Sequence, residues 1–486
     1  MMKKIISIFI LLLTLASCEK WVNIKPSDRL SGDMLFSNQE GFLKALNGVY
    51  VELTNDAIYG RQMSVGGLDV MAQYYTTFSS HQYLDYRTYV YTDQMLKNGF
   101  DNAWKKLYAL IVNCNIILEK CGDENPLLTK TYFGIVKGET LALRAMLHLD
   151  LLRLFGPIWS NATKSTPCIP YNMASSPKVN PLLSSEKVME FIVADLKASM
   201  ALLKEVDPIF TEGVRNYTDP YGENSLHYRQ YRMNYYAVKA LLARAYQWSG
   251  DHANAYTTAT EIINEVQVPG DEIFPFVRQQ ATTGSSPDRV FSTEVLFALY
   301  SINRTTMYNQ VFAPTLSSAV RLTFAGTIQD RVQELYDDAN DYRRNIWEEV
   351  MEKEVRILTN QKFQDMTNAP AFRYMMPLIR LSEIYLIAAE CSTELTDGIT
   401  YLNKVRNSRN CFSVNPGTTD ALMAYITTEF KKEVLGEGQL FFFYKRRAVE
   451  SLPNAAAVAG SFTMNLANYV VPLPDSEISQ RPAGSE

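Results

Sequence analysis

The stretch Tyr236–Val266, YAVKALLARAYQWSGDHANAYTTATEIINEV, contains two helical patterns separated by a short turn. In each pattern, small, aliphatic or aromatic residues recur every three or four positions, which places them on one face of an amphipathic helix. These residues are Ala240, Ala243 and Tyr246 in the first pattern and Ala255, Ala259, Ile262 and Val266 in the second. Between the patterns, Gly250 can end the first helix and Asp251 can cap the second. The stretch therefore predicts a helical hairpin whose small side chains let neighbouring helices approach closely.

This combination of two helices, a Gly-Asp turn and alanines at the contact points resembles a tetratricopeptide hairpin. Other parts of the chain have similar patterns. Phe100–Cys121 and Gly134–Phe155 are predicted to form one pair, and Ser184–Leu203 is predicted to pair with Tyr236–Trp248. Leu378–Cys391 is predicted to be a further amphipathic helix. The expected fold class is therefore mostly α, built from degenerate tetratricopeptide-like helical hairpins.

The predicted hairpins are not regularly spaced along the chain. A regular tetratricopeptide array has a period of about 34 residues, and this sequence does not show one. Three segments rich in Pro, Gly, Ser, Thr and Asn separate the helical patterns, at 156–183, 204–232 and 268–330. Such a composition is typical of loops and turns. We therefore expect long loop-rich insertions, with a few short strands, to interrupt the helical array.

The N-terminus has the features of a secretory signal. Lys3 and Lys4 precede an apolar run, Ile5–Ala16, that is too short for a membrane span of about 20 residues. The run ends in Leu-Ala-Ser-Cys, which resembles a bacterial lipobox. This resemblance implies a lipoprotein signal peptide at 1–17, cleavage before Cys18 and diacylation of Cys18. The alternative is an ordinary signal peptide followed by a chance cysteine.

Composition argues against several chemistries. The formal net charge is −5, and no block of Lys and Arg occurs, so nucleic acid is not an expected partner. The four histidines have no partner at metal-ligand spacing, so no metal site is expected. No Cys-x-x-C is present, and the odd number of cysteines after Cys18 does not suggest a disulfide framework. Cys114 and Cys121 are seven residues apart and would share one face of a helix. They are interpreted as small buried residues of a helical core.

Five stretches, in order along the chain, resemble motifs of the SusD/RagB family of lipoproteins. They are LFSNQEGFLKALNGVY at Leu35–Tyr50, PLIRLSEIYLIAAE at Pro377–Glu390, YLNKVRNSR at Tyr401–Arg409, FKKEVLGEGQLFFFYKRR at Phe430–Arg447 and VPLPDSEI at Val471–Ile478. The resemblance implies a SusD-like fold. It also implies an N-terminal part at 18–330, with the hairpins and the ligand-binding loops, and a C-terminal part at 331–486 packed with the first as one unit.

The same resemblance implies a function. Proteins of this family lie on the outer surface of the outer membrane in Bacteroidetes, bind oligosaccharides or other nutrients, and act as lids on a SusC-like TonB-dependent transporter. We therefore expect a surface-exposed protein, anchored in the outer membrane through Cys18, that delivers oligosaccharide or polysaccharide to such a transporter. No catalytic activity and no cofactor are expected.

Three alternatives remain open at this level. The protein could bind peptide or another non-glycan nutrient, or it could be a tetratricopeptide adaptor that binds only protein. It could also be a surface glycoside hydrolase, which needs two carboxylates about 5–10 Å apart. Glu383 and Glu390 lie on one stripe of a predicted helix with Arg380, and such charged residues usually pair with the next hairpin. They are therefore interpreted as structural rather than catalytic.

The first candidate ligand-binding segment is the tyrosine-rich stretch Leu68–Asp93. An aromatic platform is predicted within its first part, with Asp69 and Gln73 available to hydrogen-bond sugar hydroxyls. The residues predicted to form the platform are Tyr74, Tyr75, His81 and Tyr83. The alternative is that Tyr83, Tyr89 and Tyr91, which alternate with polar residues, form a strand packed on the helices.

The second candidate segment lies in the insertion at 268–330, because binding residues often sit in loops on a rigid scaffold. The candidate lies around Tyr300, Asn303, Arg304 and Tyr308, and the predicted contacts are Tyr300, Asn303 and Arg304.

Overall fold

The computed structural model describes residues 32–176, 178–366, 368 and 370–481. The predicted signal peptide at 1–17 and the predicted lipidation site Cys18 lie outside the described residues. The longer helices are α1 (Gln39–Leu53), α2 (Gln94–Cys121), α3 (Lys130–Phe155), α4 (Ser185–Lys204), α5 (Tyr235–Trp248), α6 (His252–Val266), α7 (Leu381–Cys391), α8 (Leu395–Ser408) and α9 (Thr419–Glu433). Shorter helices span Gly32–Leu35, Gly67–Met71, Leu84–Thr88, Ile209–Glu212, Arg304–Val311, Gln333–Leu335, Leu440–Arg446 and Asp475–Ile478.

Each long helix packs mainly against the helices that precede and follow it in the chain. The two predicted pairs are confirmed, because α2 packs on α3 and α4 packs on α5. The stack then continues from α5 through α6 and α7 to α8, and α9 contacts both α7 and α8. This order of contacts is that of a helical solenoid, in which each hairpin buries its face on its neighbours.

The turn between α5 and α6 has the predicted chemistry. Gly250 has a φ of +73°, a left-handed conformation that glycine adopts without steric cost. Asp251 caps α6 by accepting a hydrogen bond from the N–H of Asn254. Ala243 and Ala255, one from each helix, have no exposed surface. The small residues therefore lie where the two helices meet, as the sequence predicts.

Helix α3 is the centre of the stack and is buried along nearly its whole length. Thr129 caps its N-terminus, and the helix packs on α2 on one side and α4 on the other. Cys114 and Cys121 on α2 are fully buried, which confirms their interpretation as core residues. Helix α3 is therefore buried on most of its sides and does not have the one-sided apolar stripe of a surface helix.

The strands form antiparallel pairs within the insertions and the C-terminal part. The pairs are β1 (Pro167–Ile169) with β2 (Leu183–Ser184), β3 (Val295–Tyr300) with β6 (Met375–Arg380), β4 (Trp347–Glu352) with β5 (Val355–Asn360), and β7 (Ser451–Pro453) with β8 (Ser461–Thr463). The predicted fold class is confirmed: the protein is mostly α, with tetratricopeptide-like hairpins, loop-rich insertions and a few short strands.

One predicted helix begins later than expected. The sequence predicts a helix over Leu378–Cys391, but residues 378–380 belong to β6 and the helix begins at Leu381. Arg380 has extended backbone angles, φ −121° and ψ 155°, and pairs with Val295 of β3. The backbone groups of β3 need hydrogen-bond partners, and β6 supplies them. A short apolar run fits a strand as well as a helix, so periodicity alone could not place this boundary.

A buried ionic network joins three of the family-like motifs. Among the described residues it contains the cations Arg343, Lys362, Arg380, Arg406, Arg409 and Lys432 and the anions Glu294, Asp337, Asp341, Glu429, Glu433 and Glu437. The positive and negative charges are equal in number. All of the side chains except that of Asp337 are almost completely buried. The charged residues of these motifs therefore hold the fold together.

The two charged residues of α7 have structural partners as well. Glu383 accepts hydrogen bonds from Arg244 of α5 at 2.7 Å, and Glu390 accepts them from Arg446 at 2.7 and 2.8 Å. Both carboxylates are therefore engaged in salt bridges between helices, as the sequence interpretation expects.

One hydrophobic core extends through the chain, from Phe36 to Val471. It includes Trp104 and Trp248, both of which are buried. The division into parts at residue 330 stays a prediction. In the portion of the chain that the structure describes, no helix is both long enough and apolar enough to cross a membrane.

Candidate ligand-binding site

A cavity of about 740 Å³ lies where five segments distant in the sequence meet. Helices α1 and α3 form its floor, and the segments 224–232 and 370–374 form its sides together with the end of β3. The lining residues that carry aromatic or charged side chains are Tyr50, Glu139, His227, Tyr228, Tyr231, Arg232, Tyr300, Arg373 and Tyr374. A concave, partly apolar site with a few polar groups is the usual form of a small-ligand site.

Four tyrosines form a continuous aromatic series along the cavity. The ring centroids of Tyr228 and Tyr231 are 6.5 Å apart, those of Tyr231 and Tyr300 are 5.5 Å apart, and those of Tyr300 and Tyr374 are 5.4 Å apart. Tyr300 is the most open of the four, with 52% of its surface exposed. Aromatic rings offer apolar faces, while each hydroxyl remains a polar group. Such a series can bind the C–H faces of sugar rings.

The strand pair β3–β6 brings Tyr300 and Tyr374 together. Tyr300 is the last residue of β3 and lies opposite Met375, and the N–H of Ser301 donates to the carbonyl of Tyr374 at 2.8 Å. Tyr231 is fixed to the same segment, because its hydroxyl donates to the carbonyl of Ala371 at 2.9 Å. The backbone therefore sets the spacing of these rings.

Tyr228 has a left-handed backbone conformation, with φ 54° and ψ 47°. This conformation is uncommon for a bulky residue, and such strain persists only where the surroundings hold it in place. Here the N–H of Tyr228 donates to the carbonyl of Arg215 at 3.1 Å, and its hydroxyl lies 2.6 Å from that of Thr218. Backbone strain of this kind concentrates at binding sites.

The only carboxylate that lines the cavity, among the residues that the structure describes, is that of Glu139. Its Oε2 accepts from the hydroxyl of Tyr50 at 2.6 Å, and its Oε1 accepts from Arg229 at 2.7 Å. Tyr50 also accepts from the N–H of Met233 at 2.9 Å, and burial raises the pKa of its hydroxyl. Glu139 is therefore committed to holding Tyr50 and Arg229 in place.

Two arginines line the cavity, and they differ in their partners: Arg373 is paired with a carboxylate, whereas Arg232 contacts an aromatic ring. Arg373 is bound by Asp365 through two hydrogen bonds of 2.8 and 2.7 Å and lies over the ring of Tyr374 at 5.1 Å. This pairing raises the pKa of Arg373 and lowers the pKa of Asp365 to about 2. Arg232 lies over the ring of Tyr50 at 4.6 Å. The cavity thus combines tyrosine rings with two guanidinium groups.

Comparisons with known proteins agree with this fold. A family model described as "Starch-binding associating with outer membrane", of SusD-like type, matches residues 26–211, and the SusD family model matches residues 305–483. The chain belongs to the SusD/RagB family. Two SusD-like proteins of Formosa agariphila are each 22% identical to this chain. The match to the first covers 83% of this chain and 81% of the relative, and the match to the second covers 98% of this chain and 97% of the relative.

Solved structures of other SusD-like proteins have the same fold. A SusD superfamily protein of Bacteroides thetaiotaomicron is 20% identical with a TM-score of 0.69, covering 91% of this chain and 98% of that one. A SusD-like carbohydrate-binding protein of Bacteroides vulgatus is 16% identical with a TM-score of 0.66, and the match covers 91% of this chain and 96% of that one. Surface glycan-binding protein A of B. thetaiotaomicron is 15% identical with a TM-score of 0.65, and the match covers 92% of this chain and 98% of that one.

In this SusD/RagB chain, the second predicted segment contributes one residue to the cavity. Tyr300 lines it, whereas Arg304 is buried behind it and donates to the carbonyls of Phe372 at 3.2 Å and Met375 at 3.0 Å. Burial lowers the pKa of Arg304 to about 10. Asn303 is exposed and does not line the cavity. Arg304 therefore supports the segment that carries Tyr374, and Asn303 stays an untested prediction.

The first predicted segment does not form an exposed platform. Asp69 and Tyr75 have no exposed surface. The Asp69 carboxylate accepts from the N–H groups of Gly436 and Gly438 at 2.7 and 3.0 Å, and burial raises its pKa to about 8. A dissolved ligand has no access to these two side chains in this conformation. Asp69 joins the N-terminal region to the segment before Leu440–Arg446, whereas the ring of Tyr75 packs against Phe312 and Phe324.

The other four predicted residues of that segment are also largely buried. Gln73 and Tyr74 line a smaller cavity of about 210 Å³, where the Tyr74 hydroxyl donates to the carbonyl of Lys431 at 2.5 Å. His81 Nδ1 accepts from the N–H of Tyr83 at 3.1 Å. These side chains turn inward because the segment folds as short helices and turns, not as the alternative strand. Their contact with a ligand remains a prediction without support from this geometry.

The sequence interpretation missed the tyrosines of segments 224–232 and 370–374. The signal was present in HYRQYR, residues 227–232, where Tyr228 and Tyr231 alternate with arginines inside a loop-rich insertion. Tyr374 had no such signal, because only its pairing across β3 and β6 brings it to Tyr300.

Proposed function

We propose that this protein is a cell-surface glycan-binding lipoprotein that passes an oligosaccharide to a SusC-like TonB-dependent transporter of the outer membrane. The observation that carries the proposal is the tyrosine-lined cavity of about 740 Å³. Its volume is in the range of small-ligand sites, and its aromatic series runs over four rings. Membership of the SusD/RagB family supports the outer-membrane location and the transporter partner. The lipobox at Cys18 supports the lipid anchor.

We propose further that the protein binds its ligand without catalysis. A glycoside hydrolase uses two carboxylates on opposite sides of the scissile bond. The cavity has Glu139, and this carboxylate already accepts from Tyr50 and from Arg229. The tyrosine hydroxyls and guanidinium groups suit recognition of hydroxylated rings. This arrangement supports a binding role over an enzymatic one.

Calorimetry with a panel of oligosaccharides tests the proposal. Tyr300→Ala and Tyr374→Ala should each weaken binding by about 1–3 kcal/mol, roughly 5- to 150-fold, because each removes a stacking surface. Tyr221→Ala is a matched control, since Tyr221 is 98% exposed and does not line the cavity. It should bind like the unmodified protein. Equal affinity in all variants would place the ligand elsewhere.

Two further measurements separate the alternatives. Incubation with the bound glycan should release no reducing ends, and release at enzyme-like rates would contradict the binding role. A matched panel of peptides should not bind in the cavity. Tight binding of peptides with no binding of any glycan would identify the protein as a peptide receptor instead.

A further inference from the structure

The guanidinium of Arg232 has no anionic partner in the part of the chain that the structure describes. It lies against the face of the Tyr50 ring, 4.6 Å from the centroid, and forms neither a hydrogen bond nor an ion pair with the described residues. The other charged groups of the cavity are paired: Arg373 with Asp365, and Glu139 with Arg229. Arg229 also binds Asp207, so the two carboxylates Glu139 and Asp207 equal Arg229 and Arg232 in number. Among the described charged side chains of this cluster, however, only the guanidinium of Arg232 has no direct ion pair.

This charge contrasts with its surroundings. The chain as a whole carries a net charge of −5, and charged side chains that are partly buried are usually paired. Arg232 is only partly exposed and lies in a concave site with apolar walls. In such a site the effective dielectric constant is lower than in water, so the attraction for an anion is stronger.

The guanidinium is also held in position. Tyr50 accepts from the N–H of Met233 and donates to Glu139, so the ring beneath Arg232 is fixed on both sides. Contact with this ring restricts the guanidinium, and its N–H groups have no acceptor among the described residues, so they are free to donate to a ligand. A planar fork of donors matches a carboxylate or a sulfate group, each of which can accept two hydrogen bonds.

A second polar group of the cavity is available. His227 is 2% exposed, and its Nδ1 lies 2.7 Å from the carbonyl oxygen of Tyr217. Its Nε2 is buried and has no hydrogen-bond partner among the described residues. A buried polar atom without a partner is energetically unfavourable. A ligand with polar substituents can therefore satisfy a group that the protein leaves unpaired.

We propose that the cavity selects an acidic oligosaccharide, whose carboxylate or sulfate group binds Arg232 while its rings lie against Tyr300 and Tyr374. This inference rests on the proposed function, since it names the class of glycan that the same cavity binds. The carboxylate would come from a uronic acid residue and the sulfate from a sulfate ester. Both present the same charge and acceptor geometry to the guanidinium.

A glycan array tests the class directly. It should contain neutral galactan, oligogalacturonate, glucuronate-containing and sulfated galactan fragments of about four residues. The acidic fragments should bind at least tenfold more tightly than the neutral fragments, and the advantage should shrink between 20 and 200 mM NaCl because salt screens the charge. Preference for oligogalacturonate or for sulfated galactan identifies the anionic group.

Three variants connect the preference to one residue. Arg232→Gln should lower the affinity for the best acidic fragment by roughly 10- to 100-fold and change the affinity for neutral fragments by less than about threefold. Arg232→Lys keeps the positive charge but loses the planar set of donors, so its affinity for the acidic fragment should lie between those of the unmodified protein and Arg232→Gln. Lys44→Gln on α1 is the matched control for charge, because Lys44 pairs with Glu40 at 2.7 Å and does not line the cavity. Thermal melts of each variant should be unchanged.

The outcomes separate the inference from the proposed function. If neutral fragments bind as tightly as acidic ones, or if Arg232→Gln leaves their ratio unchanged, the inference is wrong and the glycan-binding function stands. If no fragment of any charge binds, the proposed function fails together with the inference. Loss of the preference in Lys44→Gln would also overturn the assignment to Arg232.

Discussion

Substitution of Glu433 by Gln tests the role of the buried ionic network. The Glu433 carboxylate accepts from Arg343 at 2.8 Å, from Arg380 at 2.5 Å and from Arg409 at 2.8 Å, and none of the four side chains is more than 2% exposed. A neutral amide at this position would leave one positive charge uncompensated in a fully buried site. Breaking a buried pair from one side destabilises a protein by about 3–5 kcal/mol. The entropy of unfolding is about 2.1 cal/mol/K per residue. Over roughly 450 residues, that loss lowers the Tm by about 3–5 °C.

The same substitution should change the response to acid. Burial alone would raise the pKa of Glu433, but the guanidinium groups of Arg409, Arg380 and Arg343 outweigh it and hold the pKa well below 4.5. The carboxylate is thus ionised in the folded protein at pH values where it is protonated in the unfolded chain. Its stabilisation is present above about pH 4.5 and is lost as the pH falls through the lower, folded pKa. The Tm of Glu433→Gln should therefore fall less steeply with decreasing pH below 4.5 than the Tm of the unmodified protein.

Differential scanning calorimetry at pH 7 and at several values below 4.5 measures both effects. Glu190→Gln is the control, because Glu190 pairs with Lys187 and the two side chains are 57% and 51% exposed. A surface pair of this kind contributes at most about 1 kcal/mol, so its Tm should change by about 1 °C or less. A Glu433→Gln variant that melts within about 1 °C of the unmodified protein at pH 7 would refute the reasoning.

Three further predictions concern other parts of the molecule. Gly438→Ala should destabilise the protein by several kcal/mol, because Gly438 has a φ of +69° and a Cβ there would lie 2.1 Å from the carbonyl oxygen of Met63. Gly250→Ala is the control: its φ is +73°, but no atom lies within 4 Å of the added Cβ, so it should cost only about 1 kcal/mol. Urea denaturation measures both. Burial raises the pKa of Asp69 to about 8, so the native state keeps a proton that an unfolded Asp loses near pH 4. The contribution of Asp69 to stability should fall as the pH rises from about 4 to 8, and Asp69→Asn should flatten that slope in thermal melts. Cys18→Ala should fold but leave the membrane fraction after a high-salt wash of cells that lack the transporter, and retention there would contradict the lipid anchor.

The helical framework can be predicted from the sequence, because the long helices leave a strong periodic signal. The hairpin of α5 and α6 follows from alanine spacing and from Gly250 and Asp251, and each of these features has its predicted role. For residues 378–380 the same reasoning predicts the wrong element, since their strand identity depends on β3, about 80 residues earlier in the chain. Local patterns determine local structure, and pairing over long separations does not appear in them.

The candidate site could be predicted only in part, and the reason is chemical. A tyrosine can lie in a core with its hydroxyl bonded, as Tyr74 does, or on a cavity wall, as Tyr300 does. A cluster of tyrosines along the sequence does not distinguish these cases. The cavity combines side chains from residues near 50, 139, 230, 300 and 374. No window of the sequence contains them together, so only the tertiary fold reveals the arrangement.

The pairing of β3 with β6 brings together the two ends of the segment 301–374, and the rings of Tyr300 and Tyr374 are in contact there. Closing an unfolded chain segment of this length costs about 4 kcal/mol of chain entropy. A ligand that contacts both Tyr300 and Tyr374 would hold the two ends of this segment together. Occupancy of the cavity should therefore slow amide exchange throughout 301–374, including the hairpin of β4 and β5, which does not line the cavity. A sugar bound at this point would therefore stabilise a segment much longer than the residues that it contacts.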